Sequence, residues 1–212
     1  MFLPTAFFCL TQLMLRVGIA VVEKDTLVQN ILDKEWEMFV RVKSDRPASC
    51  QSSPDKFRLI RGNQFETWTR EMLTAYWEQL EEADAVGRNL LAEKYARMDN
   101  LIHPLTENIL IFPIVTINER WQQELCELYP ALFEQCCRST NLSRDGRNFS
   151  IYLACELETY GDTVIELYYL NVKRAEDEGR NLAEEALLRL VRASGYRDLE
   201  HAERSLQRGS PG

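Results

Sequence analysis

The chain has 212 residues, 45% of them hydrophobic and 27% charged, with 33 acidic side chains against 25 basic ones and a formal net charge of −8. That composition suits one globular domain, or two small units sharing a core, and excludes wholesale disorder. The acidic balance has the wrong sign for displacing counterions from phosphates, so it argues against nucleic acid as a partner.

Residues 1–22 are largely apolar, with Phe2, Phe7, Phe8, Leu10, Leu13 and Leu15 prominent. No Lys or Arg precedes Arg16, whereas a signal peptide opens on positive charge. Thr11, Gln12 and Arg16 interrupt the run, so a membrane association is not expected. The segment reads as an extra packing element or an extension, with Met14 as an alternative start. The six cysteines (Cys9, Cys50, Cys126, Cys136, Cys137, Cys155) show no C-x-x-C spacing and read as reduced thiols of a cytoplasmic protein. In that compartment Asn141-Leu142-Ser143 and Asn148-Phe149-Ser150 are not glycosylation sites.

Helical periodicity dominates the remainder. From Asp25, a suitable N-cap, Val28, Leu32, Trp36 and Phe39 line one face of a helix that fades near Lys43. The stretch from Ala48 to Asp55 is polar and irregular. A long helix is expected from about Asn63, carrying Phe65, Trp68, Met72, Tyr76 and Leu80 and closing at Gly87. Asn89 then caps a helix running on to Met98. Pro113 suits the first turn of a helix bearing Ile114, Ile117, Trp121, Leu125 and Leu128, and a short piece from Ala131 to Cys137 follows Tyr129-Pro130. After a polar loop from Arg138 to Arg147, Phe149, Tyr152, Leu153, Tyr160, Val164 and Tyr168 mark one long helix closing at Gly179. Asn181 caps a last helix, with Glu184 completing a capping box, and the end of the chain reads as a frayed tail.

The chain also repeats itself. Gly87-Arg88-Asn89-Leu90 returns as Gly179-Arg180-Asn181-Leu182, and at the same offset Tyr76 matches Tyr168, Ala83 matches Ala175, Glu93 matches Glu185 and Arg97 matches Arg189. Glycine supplies the positive φ, asparagine the cap and leucine a core plug, while Glu93 with Arg97 and Glu185 with Arg189 are i,i+4 pairs. Helix termini do not require Arg88 and Arg180, which leaves them as candidates to grip an anion. The expected fold is an all-α helical bundle of two tandem pseudo-symmetric repeats sharing one core: repeat 23–100, linker 101–113, repeat 114–195, and tail 196–212 after the apolar segment 1–22. Each half exposes too wide an apolar face to stand alone.

Signatures of chemistry are scarce. The two histidines, His103 and His201, have no partner at i+3 or i+4, so no metal site is expected. Neither a phosphate-cradling loop nor a G-x-S-x-G elbow occurs, and no cofactor can be named. Acidic residues on apolar faces stand out. Glu35 lies between Ile31, Leu32, Met38 and Phe39, and Glu156 between Tyr152, Leu153 and Tyr160. A carboxylate so placed must be paired, hydrogen-bonded or protonated. Both are candidate catalytic acids, with Glu71 a third at the edge of its stripe, and the alternative is a core glutamate satisfied by Arg or Tyr. Aligning Trp36 with Trp121 sets Glu35 against Arg120, which predicts a salt bridge across the two copies. Glu156 is expected to be buried and bonded to Arg or Tyr, with Glu156→Gln retaining the fold. Candidate ligand-binding residues are Cys50 and Gln51 in a loop without evident structural task, Trp68 in the aromatic stripe, and Arg88 and Arg180.

The phrases Glu35-Trp36-Glu37-Met38-Phe39, Ala48-Ser49-Cys50-Gln51 and Gly87-Arg88-Asn89-Leu90-Leu91-Ala92-Glu93-Lys94-Tyr95-Ala96-Arg97-Met98 resemble a microbial domain-of-unknown-function family, over about Leu27 to Leu190. The resemblance implies a stand-alone domain and carries no activity, cofactor or catalytic residue. The sequence therefore supports two functional expectations. One is a small-molecule enzyme or binding protein with an aromatic, carboxylate-containing pocket at the repeat junction, serving an accessory step in specialised metabolism. The other is a non-catalytic protein–protein interaction module. A concave junction reaching a carboxylate favours the first, and a filled one the second; oligomeric state leaves no trace in the sequence.

Overall fold

The computed structural model describes residues 23–43, 49–141 and 148–209. Among these the regular elements are helices: α1 (Lys24–Val40), a 3-10 turn (Ser49–Ser52), α2 (Pro54–Phe65), α3 (Arg70–Ala85), α4 (Leu90–Met98), α5 (Ile111–Leu128), α6 (Pro130–Cys136), α7 (Phe149–Leu157), α8 (Asp162–Asp177), α9 (Leu182–Ala193) and α10 (Leu199–Gly209). None of them is long and apolar enough to cross a membrane. The expectations for residues 1–22 and for Cys9 lie outside the described residues.

Two helices expected to be continuous are broken. The stripe Phe65, Trp68, Met72, Tyr76, Leu80 is buried throughout, but it spans α2, a four-residue corner and α3. Thr67 Oγ1 donates to the Gln64 carbonyl at 2.7 Å, and Thr69 caps α3 by accepting from the Met72 amide at 3.2 Å. The corner keeps its apolar side chains facing the same core, so the periodicity runs on through it. The same happens between α7 and α8, where Thr159 Oγ1 donates to the Glu156 carbonyl at 2.7 Å and Gly161 stands at the head of α8. α2 itself starts at Pro54, inside the stretch expected to be irregular; proline there presets φ and gives up an amide that the first turn does not use.

The repeated turn forms the same hydrogen bonds twice. Gly87 and Gly179 take φ of 74° and 67°. The following amides of Arg88 and Arg180 donate back to the Ala83 and Ala175 carbonyls at 2.8 Å, which is the Schellman closure. Asn89 and Asn181 accept from the Ala92 and Glu184 amides, and their side-chain amides donate outward to the Met38 carbonyl of α1 and the Trp121 carbonyl of α5. The turn thus caps one helix and fastens it to another.

Helix packing follows a crossed pattern. α1 packs on α2, α3 and α4, and α5 packs on α7, α8 and α9, while α4 meets α7, α2 meets α9 and α3 meets α8. The main core draws on all eight of these helices, from Leu27 and Ile31 of α1 to Leu182 of α9. A smaller cluster joins Leu125, Leu132, Phe133, Leu187, Val191, Leu199 and Ala202. Its last two members belong to α10, so the tail expected over 196–212 contains a docked helix. Glu203 of that helix is buried and accepts from the Ala131 and Leu132 amides, capping α6 at 3.1 and 2.8 Å.

Two expected ion pairs are replaced by others. Glu35 does not meet Arg120: the latter stands half-exposed on α5 and donates to Glu176 of α8 at 2.5 Å. Arg97 pairs with Glu158 rather than Glu93, whereas the expected Glu185–Arg189 pair forms at 3.9 Å beside a closer one between Glu185 and Arg180 at 2.8 Å. A guanidinium with a long reach chooses the better-aligned carboxylate, and sequence spacing does not decide which that is.

Candidate functional site

Five helices bring their polar side chains to one place in the core. α1 supplies Glu35, α2 Arg61, α3 Tyr76, α4 Lys94 and α7 Tyr152 and Glu156, with Tyr160 from the corner after α7. Glu35, Arg61, Lys94 and Glu156 retain 0%, 9%, 6% and 3% of their exposure. Arg61 is the centre. Its Nε and Nη2 donate to the two oxygens of Glu35 at 2.9 and 2.5 Å, and its Nη1 donates to Glu156 Oε1 at 2.9 Å and to Gln64 Oε1 at 2.8 Å. Each carboxylate also takes a tyrosine hydroxyl at 2.7 Å, Tyr76 on Glu35 and Tyr160 on Glu156. Lys94 Nζ donates to the second oxygen of Glu156 and stands 3.5 Å from the centre of the Tyr152 ring. Arg138 approaches the same ring, at 4.1 Å.

Two carboxylates and two cations cancel, which is the condition for holding four charges out of water. Burial alone would raise the Glu156 pKa, but Arg61 and Lys94 outweigh it and hold the carboxyl below the usual carboxylate range. Burial likewise opposes the charges of Arg61 and Lys94, and the carboxylates reverse that and raise both. Tyr76 and Tyr160 are pushed well above the ordinary phenol range, first by burial and then by the adjacent Glu35 and Glu156. Glu156, Arg61 and Lys94 are therefore ionised, and Tyr76 and Tyr160 neutral, at neutral pH.

Beside this tetrad lies a cavity of about 80 Å³. Glu35, Arg61, Lys94 and Glu156 form its polar wall, Phe39, Phe57, Leu90 and Leu91 its apolar one, and the partly exposed Ile60, Tyr95 and Tyr152 also line it. Behind the tetrad, Trp68 packs edge-on against Phe65, Tyr76 and Tyr168 with ring centres 5.0 to 5.5 Å apart. Among the described residues, no three His, Cys, Asp or Glu side chains stand close enough to hold a metal ion.

Residues 25–204 match the model of a family described as a protein of unknown function, DUF4125. The chain belongs to this family. The match takes in every residue of the tetrad and runs past Leu190 into α10. No curated protein and no solved structure matches the chain.

Of the residues expected to act in this DUF4125 chain, the fold brings Glu35 and Glu156 together through Arg61. The others stand elsewhere. Glu71 is exposed in the first turn of α3, where its own backbone amide and the Thr69 hydroxyl lower its pKa as part of the cap. Trp68 lies behind the tetrad and does not line the cavity. Gln51 donates to the Phe39 and Val42 carbonyls at 3.0 and 2.8 Å, closing the end of α1, so its loop does have a structural task. Arg88 and Arg180 stand half-exposed away from the tetrad, each paired with a glutamate, Glu93 and Glu185. The side chain of Cys50 lies outside the described residues.

The residues that sequence reasoning missed are Arg61 and Lys94. Arg61 falls between the polar stretch ending at Asp55 and the helix expected from about Asn63, and Lys94 falls within a capping phrase whose architecture accounts for its neighbours. A signal was available in the repeat itself. At the offset of the repeated phrase, Arg61 stands against Leu153, Lys94 against Ala186 and Glu156 against Gln64. These three buried charges sit where the two stretches of sequence differ, whereas Glu35 stands against another glutamate, Glu127.

Proposed function

We propose that the protein is a small-molecule enzyme or binding protein whose ligand occupies the cavity beside the Glu35–Arg61–Glu156–Lys94 tetrad. The observation that carries this reading is a cavity, inside an otherwise apolar core, walled by four buried charges. Buried ion pairs rarely stabilise a fold better than apolar side chains of the same volume, so stability alone does not account for assembling four of them. Concave sites with an apolar body and a few convergent polar groups are the usual form of ligand pockets. In this reading Glu35 and Glu156 anchor the polar wall, and catalysis, where it occurs, draws on the same wall.

The proposal includes the duplicated organisation, with halves 23–100 and 114–195 around one core. The matched turns at Gly87 and Gly179 and the crossed pairing of α4 with α7 and α2 with α9 support it. On that organisation the cavity stands at the junction, because α7 closes a wall that α1, α2, α3 and α4 begin.

The test is a thermal-shift screen of the full chain against a panel of small metabolites, repeated on Leu91→Trp, which fills the cavity from its apolar wall. A ligand at a hundred times its Kd adds about 2.7 kcal/mol, a rise of roughly 5–10 °C at this chain length. The rise is expected to vanish in Leu91→Trp. Ligand-induced shifts that persist unchanged in that variant would place the binding site elsewhere and defeat the proposal.

A further inference from the structure

Resting on the pocket reading above, the hydrogen-bond inventory of the tetrad narrows what the pocket takes. All four carboxylate oxygens already have donors. Glu35 Oε1 accepts from Arg61 and Tyr76 and its Oε2 from Arg61, while Glu156 Oε1 accepts from Arg61 and Tyr160 and its Oε2 from Lys94. A ligand that brings a donor, such as an ammonium, finds no oxygen without one, although Glu35 Oε2 and Glu156 Oε2 each keep a second lone pair. Lys94 is the opposite case. An ammonium has three N–H groups, and Lys94 makes one hydrogen bond, its remaining surroundings being the faces of Tyr152 and, at 5.9 Å, Tyr95. A ring face attracts a cation, but it leaves N–H donors without a lone pair to point at. The unmet need in this wall is therefore an acceptor.

Charge and size restrict that acceptor. The four buried groups sum to zero, so a carboxylate or ammonium carried in among them would stand as a fifth, unbalanced charge. The cavity, about 80 Å³, is roughly half the size of an engineered cavity that holds benzene. We infer that this cavity takes a small uncharged carbonyl compound, with its oxygen on Lys94 Nζ and a short apolar body against Phe39, Phe57, Leu90 and Leu91. Lys94 serves as a charged donor. Burial works against its charge, but Glu156 together with Tyr152 and Tyr95 outweighs burial and raises its pKa, so no imine-forming free amine is offered.

Three probes of four heavy atoms each, small enough for this cavity, decide the matter: acetone, acetate and isopropylamine. Each is applied at equal concentration to the full chain, with binding read by saturation-transfer NMR. The ketone is expected to give a signal at least fivefold above the two ions, to lose it in Leu91→Trp, and to lose most of it in Lys94→Met. A stronger signal from acetate or isopropylamine, abolished by Leu91→Trp, overturns the ligand class and leaves the pocket reading standing. Equal signals from all three also overturn it, as does a ketone signal unchanged in a folded Lys94→Met. If that variant does not fold, the comparison of the three probes and the Leu91→Trp control decide alone. Silence from all three overturns the inference; if the metabolite panel also gives no shift, the pocket reading falls with it.

Discussion

Arg61 Nη1 lies 2.9 Å from Glu156 Oε1, a bond between residues of α2 and α7 that joins the first part of the chain to the second through the centre of the core. Because Lys94 shares the same carboxylate, removing the Glu156 charge leaves two buried cations with only Glu35 between them. The isosteric fit of glutamine, which favours retention of the fold, is set against that imbalance. Glu156→Gln is expected to lose about 3 kcal/mol of stability, within the range for breaking a buried pair from one side. Urea unfolding followed by far-UV circular dichroism measures it, and a loss below about 1 kcal/mol would mean the tetrad tolerates the missing charge.

The same groups set the pH response. Glu156 has its folded pKa below its ordinary 4.5, so its contribution is complete above that value and is lost as pH falls below it. Tyr76 and Tyr160 have folded pKa values raised above 10.0 and Lys94 above 10.5, so their contributions are present below those values and are lost as pH rises past them. Stability should form a plateau between about pH 5 and 10 and fall on both sides, by up to about 1.4 kcal/mol per pH unit for each proton involved. Tyr76→Phe should shallow the alkaline slope by about one proton. An alkaline slope identical in wild type and Tyr76→Phe would show that this phenol titrates normally.

The repeated turns offer a matched pair of substitutions. A Cβ added at Gly87 or Gly179 meets nothing within 4 Å, so the cost of alanine is that of the left-handed backbone alone, about 1–2 kcal/mol at each. Asn89→Ala and Asn181→Ala should each lose a similar amount, since cap and inter-helix bond go together. Thermal melts of the four variants should give comparable losses in the two turns. A loss at one turn with none at the other would mean that only one of them holds its helices together.

Residues 23–100 expressed alone should fail to melt cooperatively, because Phe65, Trp68, Tyr76 and Leu80 belong to a core completed by Leu153, Leu157, Tyr160 and Tyr168. A soluble fragment with a sharp calorimetric transition would show that the first half stands by itself.

What was legible in the sequence follows from where its physics is local. The Gly–Asn turns could be read because capping is decided within a few residues, and Glu35 and Glu156 could be found because a carboxylate in an apolar stripe contradicts its surroundings. The corners at Glu66–Thr69 and Glu158–Gly161 could not, since Trp68 and Tyr160 inside them keep facing the core and prolong the helical period. Arg61 and Lys94 escaped because long cationic side chains ordinarily mark the surface, and their burial is fixed by partners 26, 95 and 62 positions away. α10 escaped because its inward face is short, Leu199 and Ala202 with the carboxylate of Glu203, and its purpose shows only against α6.

The small cluster around Leu125, Phe133, Val191 and Leu199 is separate from the main one, and this divides the molecule's motions. Regions with their own modest apolar contacts open as units, below the free energy of global unfolding. The corner built from α6 and α10 is such a unit: its amides would exchange with solvent together and earlier than those of α1 and α3. It can loosen and re-form while the five helices around the cavity keep their places, so the cavity's walls do not share in the breathing of the C-terminal corner.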